Sequence, residues 1–304
     1  MNFLNLDSFT EKLNIEKIKY RKNEIMKSHT TFKIGGKADV FVMPEDKNEL
    51  KILLNSAKEN DVPFFIIGKG SNLLVSDNGI EGAVISLSEF DKISLSENTI
   101  NCGAGVNLSA LCNFALKNSL AGLEFAYGIP GSVGGALFMN AGAYGGEISQ
   151  VVSGAFCIDF DGNEVFLKRE DMNLSYRNSV FKNSNLIISE VVFELETSNS
   201  SEIKAKMQEY IEKRKAKQPL EYPSAGSTFK RPVGNFAGTL IEKNGLKGEL
   251  SGGAMVSDKH AGFIINYDNA NANDVLNLMD KVQKTVLSND NVLLEPEVIF
   301  VGRR

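Results

Sequence analysis

The chain has 304 residues, enough for two or three domains, with the 42% hydrophobic and 23% charged content of an ordinary globular protein. Its net charge of −5 argues against general nucleic-acid binding, and no apolar run approaches the roughly 20 residues of a membrane span. The N-terminus lacks the basic and apolar regions of a secretory signal, so a cytoplasmic protein is expected. His29 and His260 are the only histidines, which excludes a zinc centre built on several imidazoles. Cys102, Cys112 and Cys157 form no paired spacing and are expected as buried thiols of a reducing compartment. Acid–base chemistry therefore falls to Glu, Asp, Lys, Tyr, Ser or a cofactor.

Taken in chain order, the first 30 residues are mixed, with room for one helix. Ala38–Met43 alternates as a strand, and Pro44-Glu45-Asp46 opens a helix carrying Leu50, Leu53, Leu54 and Ala57 at helical spacing. Val62–Ile67 reads as a buried strand that completes a βαβ unit. Short strands follow at Ala83–Leu87 and Thr99–Cys102, then a helix over Asn107–Asn118. Val151–Phe160 and Asn163–Leu167 flank Asp161-Gly162 as a hairpin with a two-residue turn, and Leu186–Leu195 is a further strand. Thr197–Ser201 is the candidate linker. Glu202–Lys217 is an amphipathic helix with Ile203, Met207, Tyr210 and Ile211 on one face. A glycine-punctuated stretch runs to Gly262, followed by a strand at Phe263–Asn266. Asn273-Asp274 caps a helix to about Leu287, and Val292–Leu294 and Glu297–Val301 close the chain as β segments.

Eight of the chain's 27 glycines fall between Gly122 and Gly146. Glycine there allows close approach of backbone N–H groups to a phosphate or a flat ring. Interleaved Phe125, Tyr127, Ile129, Val133, Leu137 and Phe138 set the run apart from a Gly/Ser linker. A second loop, Gly68-Lys69-Gly70-Ser71-Asn72-Leu73-Leu74, sits at the carboxyl end of the Val62–Ile67 strand. It matches neither the Walker spacing nor the dinucleotide GxGxxG. Two such loops point to one large phosphate-bearing cofactor held at two places.

Three further motifs could carry chemistry. Arg177, in Tyr176-Arg177-Asn178-Ser179-Val180-Phe181, is suited to fork onto a carboxylate or else is a surface cation. Arg214-Lys215-Ala216-Lys217 leads to the hydroxyl-rich turn at Ser227; it either holds a diphosphate or complements a helix dipole. Ser227 has no histidine beside it in sequence, so donating a proton suits it better than nucleophilic attack. Glu297 lies in an apolar β run, facing either inward as a functional carboxyl or outward to solvent.

With these are His29-Thr30-Thr31-Phe32-Lys33-Ile34-Gly35-Gly36, Tyr127-Gly128-Ile129-Pro130-Gly131-Ser132-Val133-Gly134-Gly135, Asn140-Ala141-Gly142-Ala143-Tyr144-Gly145, Ala225-Gly226-Ser227-Thr228-Phe229-Lys230, Lys259-His260-Ala261-Gly262-Phe263 and Glu295-Pro296-Glu297. In this order they closely resemble the UDP-N-acetylenolpyruvoylglucosamine reductase family over nearly the whole chain. The resemblance implies an α+β chain: a two-subdomain FAD-binding region of the vanillyl-alcohol oxidase (PCMH) type over 1–198, split at about 87/88, then a smaller α+β substrate-binding domain over 199–304 whose last strand packs back on the FAD region. It implies non-covalent FAD, NADPH as hydride donor and a UDP-sugar enolpyruvyl substrate, in a monomer without membrane or nucleic-acid partners. FAD contacts would fall on Gly35, Gly68, Gly70, Ser71, Asn72, Leu73, Ile129, Pro130, Gly131, Gly134, Gly135, Gly142, Gly145 and Ile187. Catalytic roles would fall on Arg177, Ser227 and Glu297, and substrate contacts on Tyr144, Arg214 and Lys217. The short spacing between Arg177 and Ser227 resembles the family's shorter form, which lacks an inserted tyrosine loop. Two rival readings are a flavoprotein oxidase of the same fold and a non-catalytic nucleotide-sugar binder.

Overall fold

A computed structural model describes residues 5–303. Contacts group the chain into two compact units, one of residues 1–22, 40–69 and 82–213, the other of 23–39, 70–81 and 214–304. This grouping is not a single cut near residue 198: the second unit draws two segments from the N-terminal half, and the last boundary falls inside the helix Ser200–Lys217. Thr197–Ser201 is ordered rather than loose, since Glu196–Thr197 pairs with Leu120–Ala121 and the Ser198 N–H donates to the Ser119 carbonyl.

The first unit contains a five-stranded antiparallel sheet, in the order Glu164–Lys168, Val152–Asp159, Leu186–Glu194, Thr99–Gly103, Ile93–Ser96. The strand Phe64–Ile67 pairs in parallel with Ile80–Ser86 at the edge of a four-stranded sheet. Ile80–Ser86 thus lies between the two strands that the sequence joins as βαβ. The intervening helix, Lys47–Glu59, starts where the Asp46 carboxylate accepts the N–H groups of Asn48 and Glu49, and it buries Leu50, Leu53, Leu54 and Ala57. These join Phe9, Val40, Leu111, Val133, Phe193 and Met207 in one core. The Asp161-Gly162 hairpin closes through a three-residue loop rather than two. The Asp159 N–H reaches the Asn163 carbonyl at 2.9 Å, and Gly162 takes the left-handed conformation (φ +86°) that such loops need.

The second unit has its own core, with Phe32, Leu74, Phe229, Leu240, Val256, Val275, Leu278 and Val282. Its long helix is Ala272–Asp290, started two residues earlier than the Asn273-Asp274 pair suggests by a capping box of Asn271 and Asp274. The helix Ala237–Lys243, hidden in sequence among glycines, buries Leu240 and Ile241. Val292–Leu294 is not a strand; only Ile299–Val301 is, pairing in parallel with Leu73–Val75. Beyond it Arg303 forks onto both oxygens of Asp39, at 2.7 and 2.8 Å.

Candidate active site

In the first unit the two glycine loops meet. A Cβ on Gly68 would lie 2.4 Å from the Ser132 hydroxyl, so a side chain there would push that hydroxyl aside. Ser132 is buried and caps the short helix Val133–Phe138 by accepting the Gly135 N–H at 3.3 Å. The flanking backbone is turned in one sense: Leu108 donates to the Gly131 carbonyl and Val133 to the Val106 carbonyl. The N–H groups of Gly131 and Ser132 have no backbone acceptor among the described residues. Gly134 serves packing instead, donating to the Ala104 carbonyl with a would-be Cβ 2.8 Å from the Ala104 methyl. Ile187 is buried in the sheet, opposite Ile158, and Ile129 and Pro130 are progressively more exposed at the loop tip.

Beyond this loop the chain is held in strained conformations. Asn140 (φ +43°), Tyr144 (φ +55°) and Arg177 (φ +51°) are all left-handed without being glycine. Asn140, fully buried, makes that geometry stable: its side chain donates to the Ser175 carbonyl at 3.0 Å and accepts the Ser149 N–H at 2.9 Å. Ser175 and Asn178 exchange both backbone hydrogen bonds around Arg177, and the buried Ser179 hydroxyl donates to the Phe138 carbonyl. The half-buried Arg177 reaches the Gly142 carbonyl at 3.4 Å, with its guanidinium 5.2 Å from the Tyr176 ring. Exposed Tyr144 stacks flat on Tyr210, with centroids 4.7 Å apart. Gly142 is pressed against Gly146, whereas Gly145 faces open space.

In the second unit Gly70 (φ +60°) closes on the segment before Gly35: a Cβ would lie 2.2 Å from the His29 carbonyl oxygen, and Thr31 donates to the Gly70 carbonyl. The N–H groups of Gly70 and Ser71 have no backbone acceptor among the described residues. Gly35 abuts Val75, and Leu73 is buried in the strand paired with Ile299–Val301. The Asn72 amide donates to the Glu297 carbonyl at 3.0 Å, while its own carbonyl accepts the Ile299 N–H.

Ser227 follows left-handed Gly226 (φ +77°) in a half-buried turn with open space over that glycine. The next residue, Thr228, is buried and uses every polar group it has. Its N–H donates to the Gly262 carbonyl (2.8 Å), its hydroxyl oxygen accepts the Ile264 N–H (2.9 Å), and its carbonyl accepts the Glu297 N–H (2.8 Å). The turn bearing Ser227 and the segment bearing half-buried Glu297, just before the strand Ile299–Val301, are thereby fixed to each other. Arg214 is buried with an Nη1 bond to Gln218 at 2.9 Å, and Lys217 is exposed. Arg231 lies over the Phe236 ring.

The sequence singled out Arg177, Ser227 and Glu297 but not the residues that fix the backbone around them, Asn140 and Thr228. An Asn at the end of an apolar run is a left-handed signal that marks Asn140 in retrospect; Thr228 has no comparable local mark. The three cysteines are buried and free, and burial pushes their thiols up to about 12, so they are inert at neutral pH. Among the described residues no helix is long and apolar enough to cross a membrane, and no group of His, Cys, Asp and Glu could hold a metal ion.

The bare N–H groups beside glycines that admit no side chain suit an anionic, flat ligand such as a dinucleotide. Residues 38–168 match the family model for an FAD-binding domain. The berberine bridge enzyme of Eschscholzia californica shares this fold at a TM-score of 0.50 and 16% identity, over 63% of this chain and 44% of its own. The fold is thus the α+β FAD-binding fold of the vanillyl-alcohol oxidase type.

Residues 218–301 match the C-terminal domain model of UDP-N-acetylenolpyruvoylglucosamine reductase. The reductases so named from Clostridium novyi and Clostridium tetani are 49% and 48% identical. They align over 95% and 98% of this chain and 94% and 96% of their own. The crystal structure of the Thermus caldophilus reductase superposes with a TM-score of 0.81 at 35% identity, covering 93% of this chain and 98% of that one. The chain belongs to the UDP-N-acetylenolpyruvoylglucosamine reductase family. Between Arg177 and Ser227 it holds only the turn Val180–Asn183, two strands and one helix, as the shorter form requires.

Proposed function

We propose that this chain catalyses the NADPH-dependent reduction of UDP-N-acetylglucosamine enolpyruvyl ether to UDP-N-acetylmuramate, a step of peptidoglycan precursor synthesis. Non-covalently bound FAD supplies the hydride carrier between NADPH and the substrate. The observation that carries the reading is the Thr228 junction, which fixes the turn of a hydroxyl, Ser227, to the segment of a carboxyl, Glu297, by the 2.8 Å bond of Glu297 N–H to the Thr228 carbonyl.

In this reading the loops at Gly68–Leu73 and Ile129–Gly145, with Gly35 and Ile187, hold FAD. Their bare N–H groups meet the phosphates and their glycines leave room for the rings. Arg177 pairs with the substrate carboxylate as negative charge builds there on hydride arrival. Glu297, as a protonated carboxyl, donates a hydrogen bond to the same charge. Ser227 gives its proton to C2 of the former enol, completing the addition of one hydride and one proton across the double bond. Tyr144 supports the sugar nucleotide, with Arg214 and Lys217 toward its diphosphate. The functional partition is an FAD region over 1–198 and a substrate region over 199–304, in a cytoplasmic monomer that engages neither membrane nor nucleic acid.

The test is a coupled assay on the purified, FAD-loaded protein. NADPH oxidation should depend on the enolpyruvyl ether and yield a product heavier by one hydride and one proton. NADPH oxidation indifferent to that substrate would refute the reading.

A further inference from the structure

The loop after the strand Ala254–Val256 is closed on itself. The buried Ser257 hydroxyl accepts the N–H groups of Lys259 (3.2 Å) and His260 (3.3 Å). The Ser257 N–H donates to the Phe263 carbonyl, and the Phe263 N–H to that of His260. The His260 ring sits in a slot that glycines leave open. A Cβ on Gly262 would lie 2.9 Å from its Cε1 and one on Gly238 3.3 Å, while Phe263 meets the ring edge-on at 5.0 Å. Within the slot Nδ1 accepts the Gly262 N–H at 3.0 Å, so it carries no proton there. The same Gly262 presents its carbonyl to the Thr228 N–H at 2.8 Å, and Thr228 holds the Glu297 N–H.

We propose that His260 is a positioning residue for proton delivery: its neutral imidazole fixes Gly262, Gly262 fixes Thr228, and Thr228 fixes Ser227 and Glu297. The inference rests on the reading of Ser227 as proton donor. It makes the alignment sensitive to pH, because a proton on Nδ1 would set two donors face to face and release Gly262. Burial holds His260 below its ordinary value. Lys247 and Lys217 oppose its protonation and Glu242 favours it. The bond is therefore intact at neutral pH and is lost only on acidification below about 6.5, the ordinary value of histidine.

The test follows both half-reactions of the FAD-loaded protein by anaerobic stopped-flow. His260→Phe keeps the aromatic body but removes the acceptor; it should slow flavin reoxidation by the enolpyruvyl ether about 10–100-fold, the scale of a small misplacement of a reacting group. Flavin reduction by NADPH should stay within about twofold. His260→Asn places a non-titrating amide oxygen near Nδ1. It should recover most of the lost rate and abolish the acid-side fall in reoxidation that the wild type shows. Reoxidation by His260→Phe at the wild-type rate, beside a slowed Ser227→Ala, would overturn the positioning role alone. If Ser227→Ala also reoxidises normally, the underlying reading fails instead. Should His260→Phe not fold, an unchanged acid limb in His260→Asn overturns the proposal.

Discussion

Two regions of the chain hold the residues proposed to be functional by different means: the glycine loops with the stretch through Arg177, and the turn at Thr228. In the first, Asn140, Tyr144 and Arg177 occupy left-handed backbone that non-glycine residues avoid, and the N–H groups of Gly70, Ser71, Gly131 and Ser132 have no backbone acceptor among the described residues. In the second, Thr228 has its N–H, hydroxyl oxygen and carbonyl all engaged, and that carbonyl accepts the Glu297 N–H. Strain and unmet donors suit a surface completed by a ligand; a saturated junction suits groups that must deliver a proton along a set line. Changes in the first region should therefore show in cofactor retention and charge stabilisation, and changes in the second in the rate of one chemical step.

The largest effect should come from Ser227→Ala, which removes general acid catalysis worth about 10²–10⁴-fold. Reoxidation of reduced flavin by substrate should slow by that order while reduction by NADPH is nearly unaffected. An equal loss in both half-reactions would erase the contrast between the two regions. Arg177→Lys keeps the charge but loses the fork and should slow substrate reduction by about 10–100-fold, the range of a charge-assisted hydrogen bond. Steady-state kcat with saturating NADPH reads it. Gly70→Ala forces a Cβ to 2.2 Å from the His29 carbonyl at positive φ, and should cost about 1–3 kcal/mol with faster FAD loss. Gly145→Ala, with open space around it, should cost about 1 kcal/mol from φ alone. Thermal melts of apo and FAD-loaded protein separate the two glycines.

The smallest effect is in stability against pH. Because burial lowers the proton affinity of His260 in the folded chain, the unfolded chain takes up that proton first. Stability should decline as pH falls below about 6.5 and level off below the folded value. His260→Asn should show a shallower decline in chemical denaturation across that window.

Much of this was legible in the sequence, for reasons that differ by element. The helix Lys47–Glu59 declares itself through Asp46 and a clean apolar stripe, and the glycine loops by composition. Helix Ala237–Lys243 stayed hidden because it is seven residues long between glycines, where neither period nor propensity accumulates. The start of the last helix was misjudged because several Asn and Asp stand in a row, and only the reciprocal bonds of Asn271 and Asp274 choose between them. The mutual fixing of Ser227 and Glu297 could not be read at all. It passes through backbone groups of Thr228 and Gly262, and those carry no side-chain signature.

The most direct test of the central claim is a single anaerobic turnover. Protein with bound FAD is bleached by one equivalent of NADPH and then mixed with UDP-N-acetylglucosamine enolpyruvyl ether. The account predicts that the oxidised flavin spectrum returns together with one equivalent of UDP-N-acetylmuramate per flavin. A flavin that stays reduced with this substrate, yet reoxidises only when oxygen is admitted, would contradict it and favour an oxidase of the same fold.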